Sequence, residues 1–337
     1  MRTGFIARRW LGAGFALAVL VLPVLATAHE QIGFSARDTG AGREFSYRLR
    51  DQYTGEVSRL SFTLRRSDLK DTAQGLRPPA DVMAANVPKI IARGNQRCEE
   101  IGRRYNGRAN CTVTPTADGS YQIGTHYSSG VDRAAVERDV QRLLNELQSY
   151  GDQLFQQGNY ALSGSGANRT FALDYAAIAK RAVTAMEPVA RAVKSADIAI
   201  PQTPNARRIA LSRAIAFFQA IPYEVLGKQR SSGMGFLTPL AVIAENRGDC
   251  DSKAVAYAAT ARTLAPGTPV AIVVVPGHAL VGLGISPERG DATLTQGGIT
   301  YVLAEPVGPA PARIGEVGPL SRDGLRNSSK VQLIRVF

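Results

Sequence analysis

The chain has 337 residues and a formal charge of +12, with 40 Lys and Arg against 28 Asp and Glu. The length suggests two domains. The positive excess is diffuse, with pairs such as Arg65-Arg66 and Arg103-Arg104 but no lysine-rich tail or basic helix, which argues against nucleic acid and for an anionic surface such as a cell envelope.

Met1 to Trp10 carry Arg2, Arg8 and Arg9 and no acid, an apolar run follows from Leu11 to Leu25, and Ala26-Thr27-Ala28 has the small-x-small form of a signal-peptidase site. A secretory signal peptide is expected, cleaved after Ala28, giving a periplasmic or secreted mature chain. The apolar run is short for a membrane span, and no span is expected in the mature chain.

Export makes disulfides persistent. Cys98 and Cys111 lie thirteen positions apart and can close a short loop. Such a bridge contributes roughly 3 kcal/mol by the loop-entropy estimate. Cys250 is then left as a free thiol, which in an oxidising compartment is either buried and inert or needed.

The accessory region, 29–200, reads as α+β. Residues 43–64 alternate apolar and polar around a Tyr53-Thr54-Gly55 turn, the pattern of a strand pair. Residues 80–105 read as helix interrupted near Pro88 and Gly94, and 111–127 as a second hairpin around Ala117-Asp118-Gly119. His126, at its end, has no second histidine or cysteine at ligand spacing and reads as a surface residue; no metal or cofactor is expected. Residues 132–155 carry Val136, Val140, Leu143, Leu144, Leu147 and Leu154 on one stripe. After a Ser163-Gly164-Ser165-Gly166 link, 172–196 form a second helix with Pro188 as a distortion. These two helices are expected to form a helical hairpin. Pro201 to Pro204 marks the domain boundary.

In 201–337, a helix covers 205–219, residues 227–238 read as an exposed loop, and Pro239 to Glu245 as a short helix that Gly248 breaks. Asp249 is placed to cap a new helix from Cys250 to Arg262, whose Ala254, Val255, Ala258, Ala259 and Ala261 suit burial. Cys250 then sits in a first turn, where free amides and the helix dipole favour thiolate and can bind an oxyanion. Asp249 and Asp251 oppose thiolate, so a base must supply much of the activation. Buried strands are expected at 269–275, 278–285 and 299–307, with a polar connection at 286–298. A hairpin centred on that connection sets His278 opposite Glu305, about 5 Å apart at Cβ. Cys, His and Glu in that order supply a nucleophile, its base and a group to orient the base.

The run Phe218-Gln219-Ala220-Ile221-Pro222-Tyr223, then Thr238-Pro239, Gly248-Asp249-Cys250-Asp251-Ser252-Lys253-Ala254, Gly277-His278 and Ala304-Glu305-Pro306 resembles the transglutaminase-like superfamily, closest to its secreted bacterial cysteine proteinases. The resemblance covers about 205–310. It implies a papain-like α/β core with Cys250 as nucleophile on a helix and His278 and Glu305 on adjacent strands, with Gln219 or Tyr223 binding the oxyanion or lining the cleft. Many members carry aspartate where this chain has Glu305. The activity so implied is attack on a peptide or amide carbonyl, with a protein or peptide as substrate. Water then gives a cysteine peptidase, and an amine gives crosslinking. The competing class is a non-catalytic, envelope-associated binding protein on the same scaffold.

Overall fold

The computed structural model describes residues 29–337 except 52–53, 74–75, 118, 165–169, 201–204, 227–234 and 309–312. The signal-peptide segment, Tyr53, Asp118, Ser165-Gly166, the Pro201–Pro204 boundary and most of the 227–238 loop lie outside the described residues. The fold mixes helix and sheet in an α+β arrangement. Among the described residues, no helix is long and apolar enough to cross a membrane.

The chain opens with three antiparallel strands, β1 (His29–Asp38), β2 (Gly42–Asp51) and β3 (Val57–Arg65). The alternation legible in β2 and β3 is the burial pattern: Phe45, Tyr47, Leu49, Leu60, Phe62 and Leu64 face inward. Helix α1 (Arg66–Ala73) follows.

Helix α2 (Pro79–Arg104) runs unbroken through Pro88 and Gly94, where an interruption is expected from sequence. Gly94 is buried for another reason. A Cβ there would lie 2.6 Å from Val113 Cγ2 and 3.0 Å from Leu147 Cδ1, so its absence lets two neighbours close on the helix. Those neighbours are β4 (Ala109–Pro115), paired with β5 (Tyr121–Tyr127), and α3 (Arg133–Gln157). Cys98 on α2 is disulfide-bonded to Cys111 on β4, with Cα atoms 5.1 Å apart. Ile90, Ile101, Val113, Leu143, Leu147 and Leu154 complete this small core.

A hairpin of β6 (Tyr160–Ser163) and β7 (Thr170–Leu173) leads to α4 (Tyr175–Ser195). The expected α3–α4 hairpin does not form. The stripe of α3 packs on α2, and that of α4 on β3 and on helices further along the chain. These are α5 (Ala206–Ala220), α6 (Pro239–Glu245) and α7 (Cys250–Leu264). The main core therefore crosses position 200: side chains of β2, β3 and α4 share one cluster with α5, α6 and α7.

Helix α7 is buried on all sides, with Ala254 to Ala259 fully enclosed. A helix apolar all round belongs at the centre of a core, and its small side chains let four elements approach. One of these is a five-stranded antiparallel sheet of β8 (Val270–Val275), β9 (His278–Leu283), β10 (Thr293–Gln296), β11 (Ile299–Ala304) and β12 (Gln332–Arg335), in the order β10-β11-β9-β8-β12. Helix α7 packs on one face, and α8 (Pro319–Arg326) lies on the other over Val275 and Leu280. The buried Arg208 on α5 makes two hydrogen bonds to Asp291, at 2.9 and 2.7 Å, and a third to the carbonyl of Ile314 at 2.9 Å. This clamps the connection between β9 and β10 to the helical layer.

Candidate functional site

Helix α6 spans Pro239–Glu245 as expected, and it is Asn246, a left-handed residue with φ +52°, that caps it ahead of Gly248. Gly248 serves close packing instead, since a Cβ there would meet Val242 and Lys253 at 3.3 Å. Asp249 then caps α7, its carboxylate accepting the Ser252 N–H at 3.2 Å. Cys250 is the first residue of α7, half-buried and the free cysteine of the described chain.

The end of the sheet provides the next part. The β9–β11 pairing stops at Val281↔Ala304, so Ala279, still paired with Val274 of β8, has no ladder partner on the β11 side. The Cys250 sulfur accepts the Ala279 N–H, and also the N–H of Asp251. The thiol is thereby tied to the residue that follows His278, at the point where β11 leaves the sheet. The register differs by two residues from the one expected from sequence. The turn occupies a separate strand, β10, which pairs with the far side of β11. A shift of two preserves the face, and His278 Nε2 still comes within 3.8 Å of Glu305 Oε1 with both side chains largely buried. No hydrogen bond joins the Cys250 sulfur to the His278 ring; the two groups are neighbours through the Ala279 amide.

Glu305 is held from three directions. Gln219 Nε2 donates to its main-chain oxygen at 2.8 Å. Ser321 Oγ, on α8, donates to its Oε1. Its Oε2 faces Gly318, the residue capping α8, where a Cβ would stand 3.3 Å away. Gln219 is thus engaged with the Glu305 backbone, one residue past the end of β11. Tyr223 is half-exposed and forms a parallel bridge to Gly248. Its phenol is pushed up by burial and by the charges of Cys250, Asp249 and Asp251, which marks it as a neighbour of the thiol and a proton donor near neutral pH.

Burial, then the Asp251 charge, push the Cys250 thiol up to about 11, against the pull of the Ala279 amide. Burial lowers His278 below the usual imidazole value, partly countered by Glu305. Near pH 7 the resting pair is therefore neutral: a thiol beside an unprotonated imidazole. Asp249 rises to about 7 through burial and a hydrogen bond with Asp251, which also accepts the Tyr175 hydroxyl at 2.7 Å and the Ser252 N–H at 3.1 Å. Lys253 is fully enclosed and donates to the carbonyl of Ile221, which fastens the Tyr223 segment to α7. Among the described residues, no cluster of His, Cys, Asp and Glu has the form of a metal site.

Sequence reasoning missed Ser321. The fully buried residues of helix α8 are Ser321 and Gly324, neither of them apolar enough to mark the inward face in the sequence. Comparison of the chain with family models, with curated proteins and with solved structures returned no match.

Proposed function

We propose that the protein is an exported thiol enzyme of transglutaminase-like type, acting on peptide or amide bonds of a protein substrate as a cysteine peptidase. The observation that supports this reading most is the single strand end where the Cys250 sulfur takes the Ala279 N–H while His278 stands 3.8 Å from Glu305. The papain-like description of the core and the periplasmic or secreted location belong to the same proposal.

In this mechanism Nε2 of His278 faces Glu305, which leaves Nδ1 to take the thiol proton. The raised thiol and lowered imidazole make proton transfer part of the attack, in the manner of a general base. Sulfur adds to the carbonyl carbon as the proton moves to His278. His278 then protonates the leaving amine, and a thioester remains on Cys250. Water, deprotonated by His278, attacks that thioester and releases the acid and the free thiol. Unliganded sites often hold nucleophile and base loosely and tighten on binding substrate, consistent with the absence of a direct thiol–imidazole hydrogen bond. An amine in place of water converts the same thioester to a crosslink.

The test is hydrolysis of fluorescently labelled casein with an added fluorescent primary amine. Hydrolysis without amine incorporation is expected from the native chain. Cys250→Ala is expected to lose roughly 10⁴-fold or more. Full hydrolysis by Cys250→Ala would overturn the reading, and amine incorporation would redirect it to crosslinking.

A further inference from the structure

We infer that Ser321 is a positioning residue, acting through Glu305 to set the proton affinity and orientation of His278; this rests on the Cys250–His278 reading above. Four observations lead to it. Ser321 is 1% exposed, so its hydroxyl has no bulk water to bond. It donates to Oε1 of Glu305. That oxygen is the one 3.8 Å from His278 Nε2. Gly318 leaves room for the other carboxylate oxygen, which a side chain there would crowd at 3.3 Å. The carboxylate therefore lies against the first turn of α8, whose positive end favours an anion.

The geometry also explains how a glutamate can serve at this position. β11 ends at Ala304, so Glu305 stands one residue beyond the ladder and starts with no strand partner to fix it. Its side chain has one more rotatable bond than aspartate. Gln219 fixes the main chain and Ser321 fixes the tip, which leaves Oε1 facing the imidazole. The chain of contact runs from α8 through Ser321 and Glu305 to His278, and from the neighbouring Ala279 amide to Cys250. Removing the hydroxyl frees the carboxylate to leave the ring. The imidazolium then loses its counter-charge, and the imidazole loses the partner that selects its tautomer.

The probe is iodoacetamide, which reports on Cys250 without any knowledge of the substrate. Its rate of reaction with the full chain is followed from pH 4 to 10, with Cys98 and Cys111 left oxidised. The native chain is expected to show a shoulder below pH 6.5, where neutral His278 accepts the thiol proton, and a second rise toward the thiol titration. Ser321→Ala is expected to move the shoulder to lower pH by about one unit and to lower its plateau roughly tenfold, the equivalent of one hydrogen bond to a charged group. Ser321→Thr, which keeps the hydroxyl, restores the midpoint. His278→Ala removes the shoulder. Superimposable profiles for Ser321→Ala and the native chain, with the shoulder lost in His278→Ala, overturn the role of Ser321 and leave the Cys250–His278 reading standing. A native profile with no shoulder overturns that reading and this inference with it. Thermal unfolding of each variant and the ring-carbon NMR titration of His278 separate a shifted imidazole from a damaged fold.

Discussion

The unit built from α2, β4, β5 and α3 and the layer around α7 solve the same problem by different means. The first buries few side chains, and a disulfide and arginine–carboxylate contacts join its pieces. Cys98–Cys111 ties helix to strand, Arg93 and Arg97 bond Glu146, and Arg104, Arg142 and Tyr105 converge on Asp139. The second needs no crosslink. Helix α7 is enclosed by three helices and a sheet, and its one cysteine stays free at the rim of the core. Small cores need staples and large ones do not. The comparison shows why the three cysteines divide as they do: two supply stability where packing is thin, and the third is released from that duty where packing is dense.

That contrast can be broken most severely at Cys250. Cys250→Ala is expected to abolish amide chemistry while lowering the unfolding free energy by no more than about 1 kcal/mol, as for an ordinary half-buried side chain; a much larger loss, read by denaturant titration, would make the cysteine a packing residue. Next is Arg208→Ala. It strands the buried Asp291 carboxylate and is expected to cost about 3–5 kcal/mol, seen as a lower urea midpoint. Reduction of Cys98–Cys111 should cost roughly 3 kcal/mol, and hydrogen exchange should show the loss confined to α2, β4, β5 and α3, with Cys250 reactivity unchanged. Asp249→Asn acts on the pH dependence of stability and not on a single contact. The Asp249 carboxyl is raised from the ordinary range to about 7 by burial and by Asp251. The folded state thus binds a proton that the unfolded state has lost, and stability should fall as pH rises from about 4 to 7. Asparagine keeps the cap and should flatten that fall in a series of denaturant titrations across this range.

The two regions were not equally legible in the sequence. Helix α6 is bounded at the residues its pattern indicates, and Asp249 caps α7 as its chemistry requires. Alternation in β2 and β3 shows which side chains turn inward. Patterns of this kind reveal that a face is buried, not what covers it. The stripes on α3 and α4 are real, yet each packs against a different partner, and the core joins β2 and β3 to α7 across the proline-marked boundary at 201–204. Strand β10 has four residues, none fully buried, beside glycines, and reads as connection. Its presence moved the β9–β11 register by two. His278 and Glu305 met nevertheless, because strand periodicity returns to the same face after two positions. Helix α8 has only eight residues with a glycine inside; its first-position proline and its basic last turn signal a helix, but nothing in the pattern singles out Ser321.

Tyr47, in the second strand of the chain, sends its hydroxyl to the carbonyl of Ile243 at 3.3 Å, and its ring meets Phe217 edge-on at 5.0 Å. The opening sheet is therefore a wall of the chamber that houses the thiol's helix, not a cover laid over an otherwise finished core. Proteolytic trimming that discarded β2 and β3 would strip an aromatic lining from α5 and α6 and unseat the helix carrying Cys250. Maturation by shedding this portion is incompatible with a working site, and a purified fragment beginning near position 201 should be insoluble or unfolded.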